Sequence, residues 1–207
     1  MPTLVIETAT AACSVALIEN GAVVALAHEV VGRGHAERLL PMIASLPDGG
    51  RAPRILVDCG PGSFTGVRVG IAAARGLALG WGAAVAGYSA LPLIAAATRT
   101  ARDIAVVMEG GHGEVFMQIF APDLSPLSAM ASLKPDAALA ALAGRPAVGN
   151  GVRFLAALDP SLDLTEALPD AADAILLPPP LAALPAAPIY GRAPDAKPPA
   201  ARPAAVR

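Results

Sequence analysis

Between Asp58 and Leu79 the chain reads Asp-Cys-Gly-Pro-Gly-Ser-Phe-Thr-Gly-Val-Arg-Val-Gly-Ile-Ala-Ala-Ala-Arg-Gly-Leu-Ala-Leu, and no other stretch limits the fold as much. The apolar run Ile55-Leu56-Val57, a strand by its composition, ends where this stretch begins. Gly60, Pro61 and Gly62 then impose a sharp turn. Ser63 or Thr65 can cap a following helix, because either hydroxyl accepts from a free N–H of the first turn. A strand, a glycine turn and a helix N-terminus can together hold an anion. The usual phosphate loop also needs Lys after its last glycine, and here Val67 follows Gly66. On spacing alone, the glycines read as the requirement of a strand-to-helix turn.

The helix carries a second message. Gly66, Gly70, Ala73 and Leu77 share one stripe, and Val67, Ile71, Ala74 and Ala78 share the adjoining one. Its charges, Arg68 and Arg75, are seven residues apart and so lie on a common face. Such a narrow polar strip implies cover on most sides, from this domain or from a partner, and small residues on a stripe let another helix approach closely.

The chain has 207 residues, room for one large or two small domains. It is 55% hydrophobic but only 3% aromatic, so its cores must be built from small side chains. A net charge of -2 gives no electrostatic case for direct nucleic-acid binding. Cys13 and Cys59 fit no metal or redox spacing and read as buried reduced thiols of a cytoplasmic protein. The N-terminus lacks a basic region and carries Glu7 early, unlike a signal peptide. The uncharged run from Gly76 to Ala97 is long enough to span a bilayer. Gly80, Gly82, Gly87 and Pro92 interrupt it, so a helix end, a short strand and a new helix are expected instead, with no membrane association.

In order, the pattern predicts strands over Thr3–Thr8, Cys13–Glu19 and Ala22–Val30, the last two joined by an Asn20-Gly21 hairpin turn. A helix follows over His35–Leu46, with Pro41 expected to bend it. The strand Arg54–Val57, the central helix, the strand Ala84–Tyr88 and a helix over Ser89–Thr98 complete a set. The order then repeats. Strands are expected at Asp103–Met108, Glu114–Ala121 and Ser125–Ala131, followed by a helix at Asp136–Ala143, a strand at Ala147-Val148 and a helix through Leu158. Leu162–Thr165 and Ala171–Leu177 would be the last strand and helix. A duplicated βββαβαβα unit implies two similar α/β halves, residues 1–100 and 101–190. From Pro178 the chain is rich in Pro and Ala. Pro188–Arg192 reads as a docked extended segment, and the Pro/Ala-rich tail over 191–207 is expected to be disordered beyond it.

Three segments together resemble one family: Ile6-Glu7-Thr8-Ala9-Thr10-Ala11-Ala12-Cys13-Ser14-Val15-Ala16-Leu17, His35-Ala36-Glu37-Arg38-Leu39-Leu40-Pro41-Met42-Ile43, and Gly60-Pro61-Gly62-Ser63-Phe64-Thr65-Gly66-Val67-Arg68-Val69-Gly70. The chain is similar to the TsaB family, bacterial tRNA threonylcarbamoyladenosine biosynthesis subunits among the proteins once called glycoproteases. The likeness is dense over residues 4–92 and patchy beyond, with Gly113–Phe116 and Ile189–Ala196 as further pieces. It implies the actin-like ATPase (ribonuclease H-like) fold. It also implies a non-catalytic subunit that supports the paralogous TsaD, which transfers threonylcarbamoyl to N6 of adenosine 37 in tRNAs reading codons that start with A. The ATPase TsaE joins the complex, tRNA is met only indirectly, and a second copy can occupy the same helices when TsaD is absent. Departures from the family pattern are Glu7 in place of Asp and Glu109-Gly110-Gly111 in place of Asp-Ala-Arg.

The expected partner surface is Leu39, Met42, Ile43 and Leu46 with Gly66, Val69, Gly70, Ala73 and Leu77, since Met42 and Val69 lie off the stripe that a sheet contact uses. On that reading Ile43→Asp or Gly70→Leu leaves a folded monomer that no longer binds. Glu7, Thr8 and Thr10 with Gly60, Gly62 and Ser63 occupy the place of a phosphate site, as a structural remnant without the turn glycine that such a site places at the end of its first strand. Neither a cofactor nor a metal is expected: His28, His35 and His112 lack the close spacing of ligands. Ser63 lacks the glycine two residues on that a nucleophile elbow needs, and Glu109 and Glu114 form at most a carboxylate pair across a turn. The alternative reading is a stand-alone nucleotide-dependent enzyme of the same fold; a peptidase is the weakest.

Overall fold

The computed structural model describes residues 1–192. The first half contains β1 (Thr3–Glu7), β2 (Ala12–Glu19), β3 (Ala22–Val30), α1 (His35–Ala44), β4 (Arg54–Asp58), α2 (Phe64–Trp81), β5 (Ala84–Tyr88) and α3 (Ala90–Thr98). The second contains β6 (Ile104–Gly111), β7 (Glu114–Phe120), β8 (Ala131–Leu133), α4 (Pro135–Leu142), β9 (Ala147–Val148), α5 (Val152–Ala156) and β10 (Leu164–Thr165), with 3-10 helices at Ala171–Leu176 and Pro179–Ala182. The disorder expected for the tail concerns residues 193–207, which lie outside the described residues.

Each half holds a five-stranded sheet. The orders are β3-β2-β1-β4-β5 and β10-β9-β6-β7-β8, the same plan when the second is read backwards. In both, the first three strands are antiparallel and the last two run parallel to the first. The duplication is the one expected from element order, and the fold is the actin-like ATPase fold that the resemblance implies. The Asn20-Gly21 turn has positive φ at both residues (52° and 75°), which lets the twist of β2 continue into β3. The uncharged run from Gly76 to Ala97 divides into the end of α2, β5 and most of α3, and no helix of the described residues is long and apolar enough to cross a membrane.

Other boundaries differ from expectation. α1 ends at Ala44, and a 3-10 turn at Pro47–Gly50 follows. The segment Ser125–Ala131 is not the third strand. Asp123 accepts the Ser125 amide, Leu124 takes a left-handed φ of 66°, and the strand forms later at β8. Ala171–Leu176 is a 3-10 helix and not an α-helix.

α1 and α2 cover one face of the first sheet. Leu39, Met42, Ile43 and Leu46 pack with Val67, Ile71, Ala74 and Ala78 onto Leu4, Ile6, Val15, Ile55 and Val57. On the other face Val5, Ala16, Leu56 and Tyr88 meet Leu93 and Ala96 of α3 and Ala171, Ala174, Leu177 and Ala182. The segment from Asp170 to Ile189, expected with the second half, thus returns to the first sheet. Ala182 O accepts from Arg54 (2.6 Å), Leu184 exchanges backbone hydrogen bonds with Gly87, and the Ile189 N–H donates to Cys59 O (2.7 Å).

Candidate functional site

One polar row crosses the whole first sheet. Glu7 ends β1 beside Ser14 of β2, which pairs with His28 of β3. Ile6 pairs with Val57, which sets Glu7 next to Asp58 at the end of β4, and Asp58 pairs with Tyr88 of β5. Registered neighbours point to one face. β1, β4 and β5 are parallel, so the row lies at their C-terminal ends, where ligands bind in open α/β sheets.

From β2 to β5 the row is closed, and only His28 at its β3 end reaches solvent. Glu7, Ser14, Asp58 and Tyr88 have no exposed surface. Glu7 Oε1 accepts the Ala9 N–H (2.8 Å), and the Tyr88 hydroxyl donates toward Glu7 Oε2 (2.9 Å) and Ile6 O (3.1 Å). Asp58 Oδ1 accepts the Gly60 N–H (2.9 Å). Burial pushes Glu7 up to about 7; burial, and then the neighbouring Glu7, hold Asp58 well above the carboxylate range. Sequence reasoning gave no role to Asp58 or Tyr88. The signal available was an acid directly after the buried run Ile55–Val57.

Of the expected phosphate-site residues, the structure sets the turn after Glu7 and Thr8 directly against Gly62 and Ser63. The Thr8 hydroxyl donates to Gly66 O (2.8 Å), and the Ser63 N–H donates to Ala9 O (2.6 Å). Ser63, not Thr65, is the cap: its Oγ accepts the Gly66 N–H (3.2 Å). A Cβ on Gly62 would overlap the Ala9 carbonyl, and one on Gly66 the Thr8 carbonyl. The glycines therefore let the β1–β2 turn rest directly on the start of α2. Thr10 caps the same turn by accepting the Ala12 N–H, and Gly60 (φ 92°) carries the bend after β4.

The expected partner residues need correction. Leu39, Met42, Ile43 and Leu46 are 1%, 4%, 2% and 5% exposed, all spent on the chain's own core. Gly66 and Gly70 are buried against Thr8, while Val69, Ala73 and Leu77 are half-buried. Ile43→Asp would therefore put a charge in the core, and Gly70→Leu would drive a side chain into Thr8, so neither variant tests a surface. The outer faces expose Ala36, Leu40 and Ala44 on α1, and Phe64, Ala72, Gly76, Leu79 and Gly80 on α2. Leu79 is 88% exposed. A Cβ on Gly76 or Gly80 would meet nothing within 4 Å. The i, i+4 spacing of Ala72, Gly76 and Gly80 was the available signal.

Arg68 and Arg75 do share a use. Arg68 lies 3.2 Å from the Phe64 ring centroid and donates to the Tyr190 hydroxyl (2.7 Å), and Arg75 donates to Ala186 O (2.7 Å). Both clamp the returning segment. Beside them a cavity of about 400 Å³ opens between the start of α2, Gly110 and Phe116, and Pro188–Arg192. Glu109 and Glu114 are not a pair: Glu109 meets Arg153 (2.6 Å), and Glu114 accepts from Ser132 (2.7 Å). His35 is buried and sits 3.1 Å from Ala12 O, His28 binds Asp170, and His112 is a turn residue with φ 53°. Among the described residues no group of three His, Cys, Asp or Glu could hold a metal. Both thiols are buried, which pushes each up to about 11.

The family model described as "TsaD: tRNA N6-adenosine threonylcarbamoyltransferase" matches residues 26–144. The chain is 45% identical over 104 residues to the tRNA threonylcarbamoyladenosine biosynthesis protein TsaB of Escherichia coli, covering 46% of this chain and 43% of that one. It thus spans less than half the length of that relative. An uncharacterised protein of Mycobacterium tuberculosis is 34% identical over 94% of this chain and 93% of its own length. Among solved structures, YeaZ from Pseudomonas aeruginosa superposes with a TM-score of 0.74 at 27% identity, covering 91% of this chain and 99% of that one. A family model matched over more than half of the chain and a relative matched along almost all of it make this chain a member of the TsaD family, on the side of the TsaB proteins.

Proposed function

We propose that this chain is a non-catalytic TsaB-type subunit in the formation of threonylcarbamoyladenosine at position 37 of tRNA. On this reading it grips a catalytic TsaD-type partner through the outer faces of α1 and α2. TsaE joins through that partner, tRNA is met only indirectly, a second copy takes the same helices when the partner is missing, and the place of work is the cytoplasm.

The observation that carries the reading is the outer face of α2. Mid-helix glycine costs about 1 kcal/mol relative to alanine. Gly76 bears that cost, and a Cβ at Gly76 or Gly80 would meet nothing within 4 Å among the described residues. Leu79 beside them exposes nearly its whole side chain. Close approach of a second helix gives both features a use. Against intrinsic catalysis stand the unexposed carboxyls and a glycine turn whose backbone is engaged by the β1–β2 turn.

The test is complementation. Cells depleted of this protein should lose threonylcarbamoyladenosine from tRNA, and the wild-type chain should restore it. Leu79→Asp should restore little, although the variant stays folded and monomeric. Retention of the nucleoside on depletion removes the functional reading; full rescue by Leu79→Asp removes the assignment of the face.

A further inference from the structure

The polar row beneath the returning segment has no use in a docking subunit. It puts two carboxyl groups, Glu7 and Asp58, side by side at the ends of adjacent parallel strands without exposed surface. Asp58 Oδ2 is buried without a hydrogen-bond partner among the described residues. Two carboxylates repel; a carboxylic acid and a carboxylate bond. Among the described residues, none of the groups acting on either carboxyl is a lysine or an arginine. A proton on one of the two carboxyls removes that repulsion.

The lid over this row is the returning segment. Asp170 opens it, accepting from Ser14 Oγ (3.3 Å) and the Ala172 N–H (2.8 Å) and facing His28 Nδ1 (2.8 Å). Ser14 Oγ in turn accepts the Ala171 N–H (3.0 Å). Ser14 and His28 belong to the same row as Glu7, so the lid's anchor and the carboxyl pair are fastened to one line across the sheet. The Asp170 charge acts on Glu7 in the direction of repulsion.

We propose that Glu7 and Asp58 hold at least one shared proton inside the first sheet, and that losing protons from this pair loosens residues 170–190. The other titratable groups facing the pair are Tyr88 on β5, Cys13 on β2, Cys59 after β4, and Asp170 with its partner His28. Of these only His28 can become cationic, and it faces Asp170, not the carboxyls. The consequence travels, because the same segment is clamped by Arg68 and Arg75 of α2. Both carboxyls are raised in the closed state and would fall toward the ordinary range when the segment lifts and water enters. The closed state is therefore favoured fully below about pH 4 and less as pH rises. Glu7 contributes up to about 7, and Asp58 continues above. Each retained proton makes opening up to about tenfold more favourable per pH unit.

The experiment is amide hydrogen exchange on the full chain at pH 6 and pH 8, corrected for intrinsic rates. Residues 170–190 should open at least about tenfold more at pH 8 than at pH 6. In Glu7→Gln the share that Glu7 supplies is lost, and the ratio should fall by about tenfold relative to wild type. A wild-type segment equally protected at both pH values overturns the proposal, as does a Glu7→Gln chain with the wild-type ratio. Should Glu7→Gln fail to fold, Asp58→Asn is read in the same way against the wild-type ratio.

Discussion

Gly76→Gln separates what α2 does for its own chain from what it does for another. The residue sits inside an 18-residue helix, and a Cβ there meets nothing within 4 Å. No left-handed φ protects the glycine, so the substitution carries no strain. Helix propensity alone should then stabilise the isolated chain by about 0.7 kcal/mol. For a chain of this length that raises Tm by about 2 °C. On a partner helix packed against the same spot, a Gln side chain is an obstruction, and overpacking costs about 1–3 kcal/mol. Binding should therefore weaken by about tenfold to a hundredfold while the monomer gains stability. Thermal melts of the isolated chain and titration calorimetry with the catalytic partner read the two effects separately. A lower Tm refutes the claim that the position is open. An unchanged Kd refutes the claim that another helix lies there.

Gly66→Ala is the opposite case: its Cβ would overlap the Thr8 carbonyl oxygen, which belongs to backbone and cannot swing aside. A loss of at least about 3 kcal/mol is expected in urea unfolding, and a loss below 1 would contradict the packing of the β1–β2 turn on α2. Calorimetry with ATP and Mg²⁺ on the isolated chain should give no saturable heat, because the Ser63 and Gly66 amides already donate within the chain; tight binding would restore the nucleotide-dependent alternative.

Much of the fold was legible because the chain signals locally. Asn20-Gly21 specifies a turn whatever surrounds it, and the strand–turn–helix at Ile55–Leu79 follows from runs and glycines alone. The repeat of element order carried the duplicated architecture, although few residues match between the halves. The third strand of the second half was misplaced because Ser125–Ala131 looks extended in isolation. The Asp123 cap, and the register that β7 offers, decide otherwise. The candidate site was read as a cluster without its packing. Only three-dimensional packing shows the turn after Thr8 resting on Gly62 and Gly66.

By itself the sequence determined which faces of α1 and α2 are apolar, because side-chain spacing on a helix is a local property. It could not say which apolar stripe meets the sheet and which faces outward: Met42 and Leu40 are equally greasy, yet one is 4% and the other 52% exposed. Only the packing of α1 over β2 and of α2 over β4 decides that. The partnership of Glu7 with Asp58 and Tyr88 was likewise invisible. Residues 51 and 81 positions apart become neighbours through strand register, and burial, which no linear pattern encodes, turns two ordinary acids into a proton-holding pair.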